Sequence, residues 1–374
     1  MGHGSSGLPG VRGLDRGHRH WTTSGRVLPA RRAAAAYPAG RLAVVLPPPA
    51  VIELAFDPVV TLGDLRMRLE TLGIALAILV ALVIAALMAR STPVNPDRPA
   101  DAPGDEPGEL NRLRADDLLY IAVAAVPGAI IGGRIGYWLV HLDFYRANPG
   151  AVWDISHGGL QLSLAVVGGV LSASVVARLL GAPVGRWLHA MVLPLLLALA
   201  AGKAAMVLGG TGQGQLSDAG WATAYIGAGP WGSLAPALPA HPSQAYEAMA
   251  AVGVLLIVAY VAAFDVFGRN GGAFLFAIAL WATARAVVAT TWRDPQVLGP
   301  LRMDQLISIA IAAGAVLLLG VVGGASAVRA RRLRADAGDG GADDAATAPG
   351  PAPKRRPGAP GEPDWPDPEQ RPLI

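Results

Sequence analysis

A chain of 374 residues that is 53% hydrophobic and only 15% charged, with a mean hydropathy of +0.43, falls outside the soluble globular class, in which about 25% of residues are charged. Its net charge of +3 and pI near 9.4 come mostly from arginines in tails and loops. No aromatic-basic strip accompanies them, so they fit the inner surface of a membrane and argue against a nucleic-acid partner. The chain has no cysteine, which excludes disulfides, Cys–metal sites and a cysteine nucleophile.

Residues 1–43 mix Gly, Arg and His without an apolar h-region, so they do not read as a secretory signal. They are expected to be a disordered extension, and a wrongly chosen start codon accounts for them equally well. Residues 44–68 are extended, interfacial and broken by prolines. Long continuous apolar runs then predict an all-α polytopic membrane protein rather than a barrel. Seven spans are placed near 70–89, 117–140, 160–177, 188–209, 244–264, 272–290 and 304–327, the sixth interrupted by Arg285. Residues 44–327 thus form one transmembrane domain. From 328 the chain turns basic and then becomes a Gly/Pro/Asp tail, expected to be disordered, to 374.

Loop arginines set the orientation. Arg90, Arg98, Arg112, Arg114, Arg178, Arg186 and Arg269 follow the odd-numbered spans, against Arg146, Arg293 and Arg302 after the even-numbered ones. The first set is predicted cytoplasmic, with the C-terminus inside and the N-terminus outside. The longest inter-span loop, 210–243, has no Lys or Arg and is predicted to face outward.

Three cations lie within predicted spans: Arg134, Lys203 and Arg285. A charge at that depth costs roughly 2.5–3.5 kcal/mol on insertion scales. No acid lies at matching depth in the same spans, so the expected counter-charge is a ligand anion, most simply a phospholipid phosphate. Arg134 stands among glycines in GGRIGYWLVH (132–141), where small residues leave room for a head group; the plainer reading is an arginine snorkelling to the interface. AHPSQAYEA (240–248) opens the fifth span, and Ser243, Gln244, Tyr246 and Glu247 supply polar groups at the outer boundary; the plainer reading is a helix start with an interfacial Tyr. Arg285 and Arg293 are separated on an ideal helix by ~80° and ~12 Å, so both could meet anionic groups on one side. Their forked donors suit phosphate. AAGKAAMVLGGTGQG (200–214) carries Lys203 and a glycine-rich exit that lacks P-loop spacing.

Together these segments resemble the bacterial prolipoprotein diacylglyceryl transferases, over about residues 46–327. PPPAVIEL (47–54) is similar to that family's opening, GGRIGYWLVH to its Gly-Arg-Leu-Gly-Tyr segment, and HPSQAYEA to its His-Pro-Ser-Gln-Leu-Tyr-Glu motif. ARAVVATTWRDP and LRMDQLISI resemble its sixth span, the loop after it and the start of its last span. The chain departs from the family at several places. Ser163 stands where the family has His or Tyr, with His157 six residues earlier; Lys203 replaces an arginine, Met206 an asparagine, Thr211 the glutamate of Gly-Glu-Leu-x-Gly, and Ala289 a glutamate.

The resemblance implies transfer of the sn-1,2-diacylglyceryl group from phosphatidylglycerol to the lipobox cysteine of a preprolipoprotein signal peptide, at a bacterial plasma membrane. It implies no cofactor and no metal. It assigns Arg285 and Lys203 to the phosphate, Arg134 to the head-group cavity, and His241, Gln244, Tyr246 and Glu247 to the outer entrance; Ser163, a poor base for the thiol, and Arg293 are counted among the substrate-binding residues. The losses favour a second reading, a catalytically degenerate member that binds anionic phospholipid or a lipoprotein precursor. A third, a small anion transporter, lacks an inverted-repeat signal.

Overall fold

The chain folds into a bundle whose apolar helices face outward as much as inward. A computed structural model describes residues 51–346, apart from 96, 106–108, 154–158 and 269. The first of the chain's two units, Met1–Leu46, lies outside them, as do His157 and residues 347–374. The described chain opens with three short strands, β1 (Ile52–Leu54), β2 (Val59–Leu62) and β3 (Leu65–Arg68). Next come α1 (Leu69–Ser91), α2 (Ala115–Val140), the short α3 (Leu142–Ala147), α4 (Leu162–Leu179) and α5 (Val184–Val207). Strand β4 (Thr223–Tyr225), α6 (Ser243–Ala263), α7 (Gly272–Val288), β5 (Gln296–Leu298), β6 (Leu301–Arg302) and α8 (Met303–Ala346) complete it.

Seven of these helices are long and apolar enough to cross a membrane, and they coincide with the seven predicted spans. Leu76, Leu79, Val83, Leu87, Leu256 and Leu317 stand exposed on them, as side chains facing lipid would. The sixth span is intact: α7 with the 3-10 turn Ala289–Thr291. It is also the central helix, with 61% of its apolar window buried against 17–39% for the others. Phe274, Ile278 and Trp281 of α7 pack there against Val192 and Leu196 of α5 and Val254 and Val258 of α6. The backbone of α8 runs on to Ala346, through the basic residues 329–334 placed by the sequence after the last span. Ala and Arg are good helix formers, and no proline interrupts the run.

The closest helix pair is α2 and α4, and glycine makes it possible. A Cβ at Gly128 or Gly132 would collide with backbone oxygens of Gly168 and Leu164, and one at Gly168 with the Gly128 carbonyl. Small residues at this seam let two backbones touch.

The up-and-down order brings the starts of α1, α4, α6 and α8 to one end of the bundle, with the ends of α2, α5 and α7. The connecting segments there fold on one another. β1 pairs in parallel with β4, matching Ile52 to Thr223 and Leu54 to Tyr225; β2–β3 and β5–β6 are antiparallel. This end carries the site.

Candidate active site

Four ionisable side chains from four helices meet at that end of the bundle. Lys203 projects from the penultimate turn of α5, Arg285 from the last turn of α7, Glu247 from the second turn of α6 and Asp304 from the first turn of α8. Arg285, in a last turn, and Asp304, in a first turn, occupy the placements helix dipoles favour. Glu247 Oε2 receives Lys203 Nζ at 2.9 Å and Arg285 Nη1 at 2.5 Å. Arg285 Nη2 lies 3.8 Å from Asp304 Oδ1. The same Asp304 oxygen accepts from Gln161 Nε2 at 2.6 Å, while Gln161 Oε1 caps α4 by accepting from Leu164 N–H at 2.7 Å. Arg285 Nε donates to Ser163 Oγ at 2.8 Å, and its guanidinium lies 4.4 Å from the centre of the Trp292 ring. Ser163 Oγ is 3.4 Å from Ser308 Oγ. Arg285, Glu247, Asp304, Ser163 and Ser308 are all buried.

This corrects the expectation that only a ligand neutralises Arg285 and Lys203. Two carboxylates from other helices do so, and the quartet sums to zero charge. Helices that enter and leave at one face bring residues of different spans to one depth, so inspection of each span alone misses Glu247 and Asp304. Asp304 escaped the sequence reading entirely; its one signal is an acid opening an apolar helix in LRMDQL.

The wheel relation between Arg285 and Arg293 also fails, because α7 ends at Val288 and Arg293 lies beyond the 3-10 turn. Arg293 Nε donates to the Gly214 carbonyl, and its buried Nη2 has no hydrogen-bond partner among the described residues.

The HPSQAYE segment divides in two. His241 and Tyr246 belong to the rim: His241 Nδ1 is 3.3 Å from the Tyr246 hydroxyl, which accepts from Trp221 Nε1 at 2.6 Å. Gln244 and Glu247, one helical turn apart, are buried. Tyr225 gives its proton to the Val207 carbonyl at 3.0 Å, so its oxygen accepts from Gln244 Nε2 at 2.9 Å. That fixes the amide with Oε1 buried and without a partner among the described residues. Burial pushes the Tyr225 phenol up to about 12. Ser243 Oγ and Thr291 Oγ1, 2.6 Å apart, join the start of α6 to the 3-10 turn that follows α7.

Arg134 is half-buried on α2 between Gly133 and Gly136. These glycines admit the start of α4: a Cβ at Gly136 would lie 2.7 Å from Gln161 Oε1. The structure therefore joins Lys203, Glu247, Arg285 and Ser163 directly, sets Gln244 one turn before Glu247 on α6, and gives His241, Tyr246 and Arg293 other partners. Beside Ser163, Leu162 also lines an apolar cavity of about 410 Å³ with Ile78, Val166, Leu195, Ala198 and Phe274.

A family model described as prolipoprotein diacylglyceryl transferase matches residues 58–321. Three relatives carry the name phosphatidylglycerol–prolipoprotein diacylglyceryl transferase. The one from Clostridioides difficile is 26% identical over 216 residues, 57% of this chain and 77% of the relative. That from Geobacter sulfurreducens is 29% identical over 208 residues, 52% of this chain and 74% of the relative. That from Finegoldia magna is 26% identical over 211 residues, 56% of this chain and 80% of the relative.

Proposed function

This chain belongs to the prolipoprotein diacylglyceryl transferase family, and on that premise we propose that it transfers the diacylglyceryl group of phosphatidylglycerol to the lipobox cysteine of preprolipoproteins. The observation that carries the reading at this site is the convergence of Lys203 and Arg285 on one oxygen of Glu247. A phosphate entering beside that carboxylate meets two cations already held in place.

The reaction asks for such a pair. A cysteine thiolate attacks the carbon that joins the diacylglyceryl group to phosphate; a sulfur–carbon bond forms, the carbon–oxygen bond breaks, and glycerol 1-phosphate departs with the electron pair. Charge grows on the phosphate oxygens as that bond breaks, so Arg285 and Lys203 bind the transition state more strongly than the substrate. A preorganised donor of this kind is worth ~10²–10³-fold. Glu247 aims both cations. Arg134 and Ser163 line the head-group side, and Arg293, whose Nη2 has no hydrogen-bond partner among the described residues, takes an anionic group nearer the surface. His241, Tyr246 and the carbonyl of Gln244 shape the entrance for the peptide. The apolar cavity beside Leu162 suits an acyl chain. The site end faces outward from a bacterial plasma membrane, where the lipobox of an exported precursor arrives.

Expression in a bacterium depleted of its own transferase tests this. Rescue of growth and of lipoprotein maturation is expected, with Glu247→Gln failing to rescue. A protein that accumulates in the membrane and rescues nothing would instead be a binder of anionic lipid.

A further inference from the structure

Glu70 is a partly buried carboxylate that the reaction above leaves without a task. It stands in the first turn of α1, its side chain only 13% exposed. Its Oε2 accepts a hydrogen bond from Thr211 Oγ1 at 2.8 Å and lies 3.3 Å from Arg68 Nη2. The same Arg68 nitrogen donates to the Gly209 carbonyl at 3.3 Å, and that carbonyl also accepts from Gly232 N–H at 2.8 Å. Two glycines close the cluster: a Cβ at Gly209 would collide with the Glu70 carboxylate, and one at Gly232 with the Thr211 hydroxyl. The segment leaving α5 is thereby fastened to the start of α1.

The carboxylate of Glu70, at the start of α1, thus holds the hydroxyl of Thr211 in the segment leaving α5. We infer that Glu70 is a positioning residue for the loop leaving α5. A charge-assisted bond to Thr211 holds the loop more firmly than a neutral one would. Lys203 lies just before this loop on α5. Gly214, three residues after Thr211, gives its carbonyl to Arg293. Between them Gln213 is buried, donating to the Thr223 carbonyl at 2.6 Å and accepting from Ser233 Oγ at 2.5 Å. Slack at Thr211 therefore reaches cations on both sides of it.

The inference rests on the transferase reading, and its test separates the two. Glu70→Thr and the exchanged pair Glu70→Thr/Thr211→Glu are compared with the parent in transfer from phosphatidylglycerol to a lipobox peptide. Each is also made with Gln213→Cys, whose labelling by a thiol reagent reports the loop in a chain with no native cysteine. Glu70→Thr is expected to lower kcat about tenfold, ~1.4 kcal/mol of barrier, and to raise the labelling rate by a similar factor. The exchange should return both to near the parent values. Parent-like kcat and labelling in Glu70→Thr would overturn the inference, as would an exchanged pair no better than Glu70→Thr. If the parent transfers nothing while the labelling changes still appear and reverse, the transferase reading fails and the positioning role stands.

Discussion

One carboxylate oxygen holding two cations makes Glu247 the residue on which the site turns. Lys203 and Arg285 would repel each other without it, and Asp304 completes the balance from the opposite side of Arg285. Removing Arg285 therefore does more than delete a phosphate ligand: it leaves Asp304 and Glu247 with one cation between them and takes a donor from Ser163. Arg285→Ala should cost about 3–5 kcal/mol of stability, the range for breaking a buried pair. Thermal unfolding in detergent checks this, and an unchanged melting point would show that the quartet is not a structural unit. Tyr225 gives a second residue-scale prediction, in alkali. Its folded pKa of about 12 lies above the ordinary 10.0, because burial disfavours the phenolate. The raised value contributes stability that is fully present below pH ~10 and is lost as pH rises through ~12. Unfolding followed across that window should show the loss in the parent. Tyr225→Phe should start less stable and show a shallower decline; parallel curves would contradict the assignment.

At the scale of elements, helix ends rather than helix middles build the site. Arg285 looked deep because the apolar run of α7 continues past it, yet it lies in the last turn, and its burial comes from neighbours. The sequence made the spans legible because twenty apolar residues have few other fates. It made the cations legible because charge in such a run is costly. Which acid faces which cation was not legible, since that depends on which helix ends share a face. Glu247 read as a boundary residue, while Asp304 and Glu70 drew no reading of their own. The relation between Arg285 and Arg293 failed because it assumed that the helix continued. The α2–α4 seam yields a prediction at this scale. Gly168→Ala would set a methyl against the Gly128 carbonyl, whereas Gly253 and Gly314 have open space. The first change should cost about 1–3 kcal/mol, the usual range for overpacking, and the other two should be neutral or slightly favourable. Equal melting points for all three would contradict the close approach.

For the whole molecule, the alternation of seven spans places all site residues at one end of the bundle, and the account needs that end to face outward. A chain without cysteine makes this simple to check. A cysteine introduced at Ser217, in the long loop at the site end, should react with an impermeant thiol reagent from outside intact cells, and one at Asp101 should not. The reverse pattern would put the site on the wrong side for an exported precursor. The most direct measurement of the central claim is transfer by the purified protein from labelled phosphatidylglycerol to a lipobox peptide, read as the mass gained on the cysteine. The account predicts a diacylglyceryl thioether and released glycerol 1-phosphate. Turnover should rise about tenfold in Lys203→Arg, whose fork can hold two phosphate oxygens where an ammonium holds one. Saturable binding of phosphatidylglycerol with no mass gained by the peptide, in the parent and in Lys203→Arg alike, would contradict it.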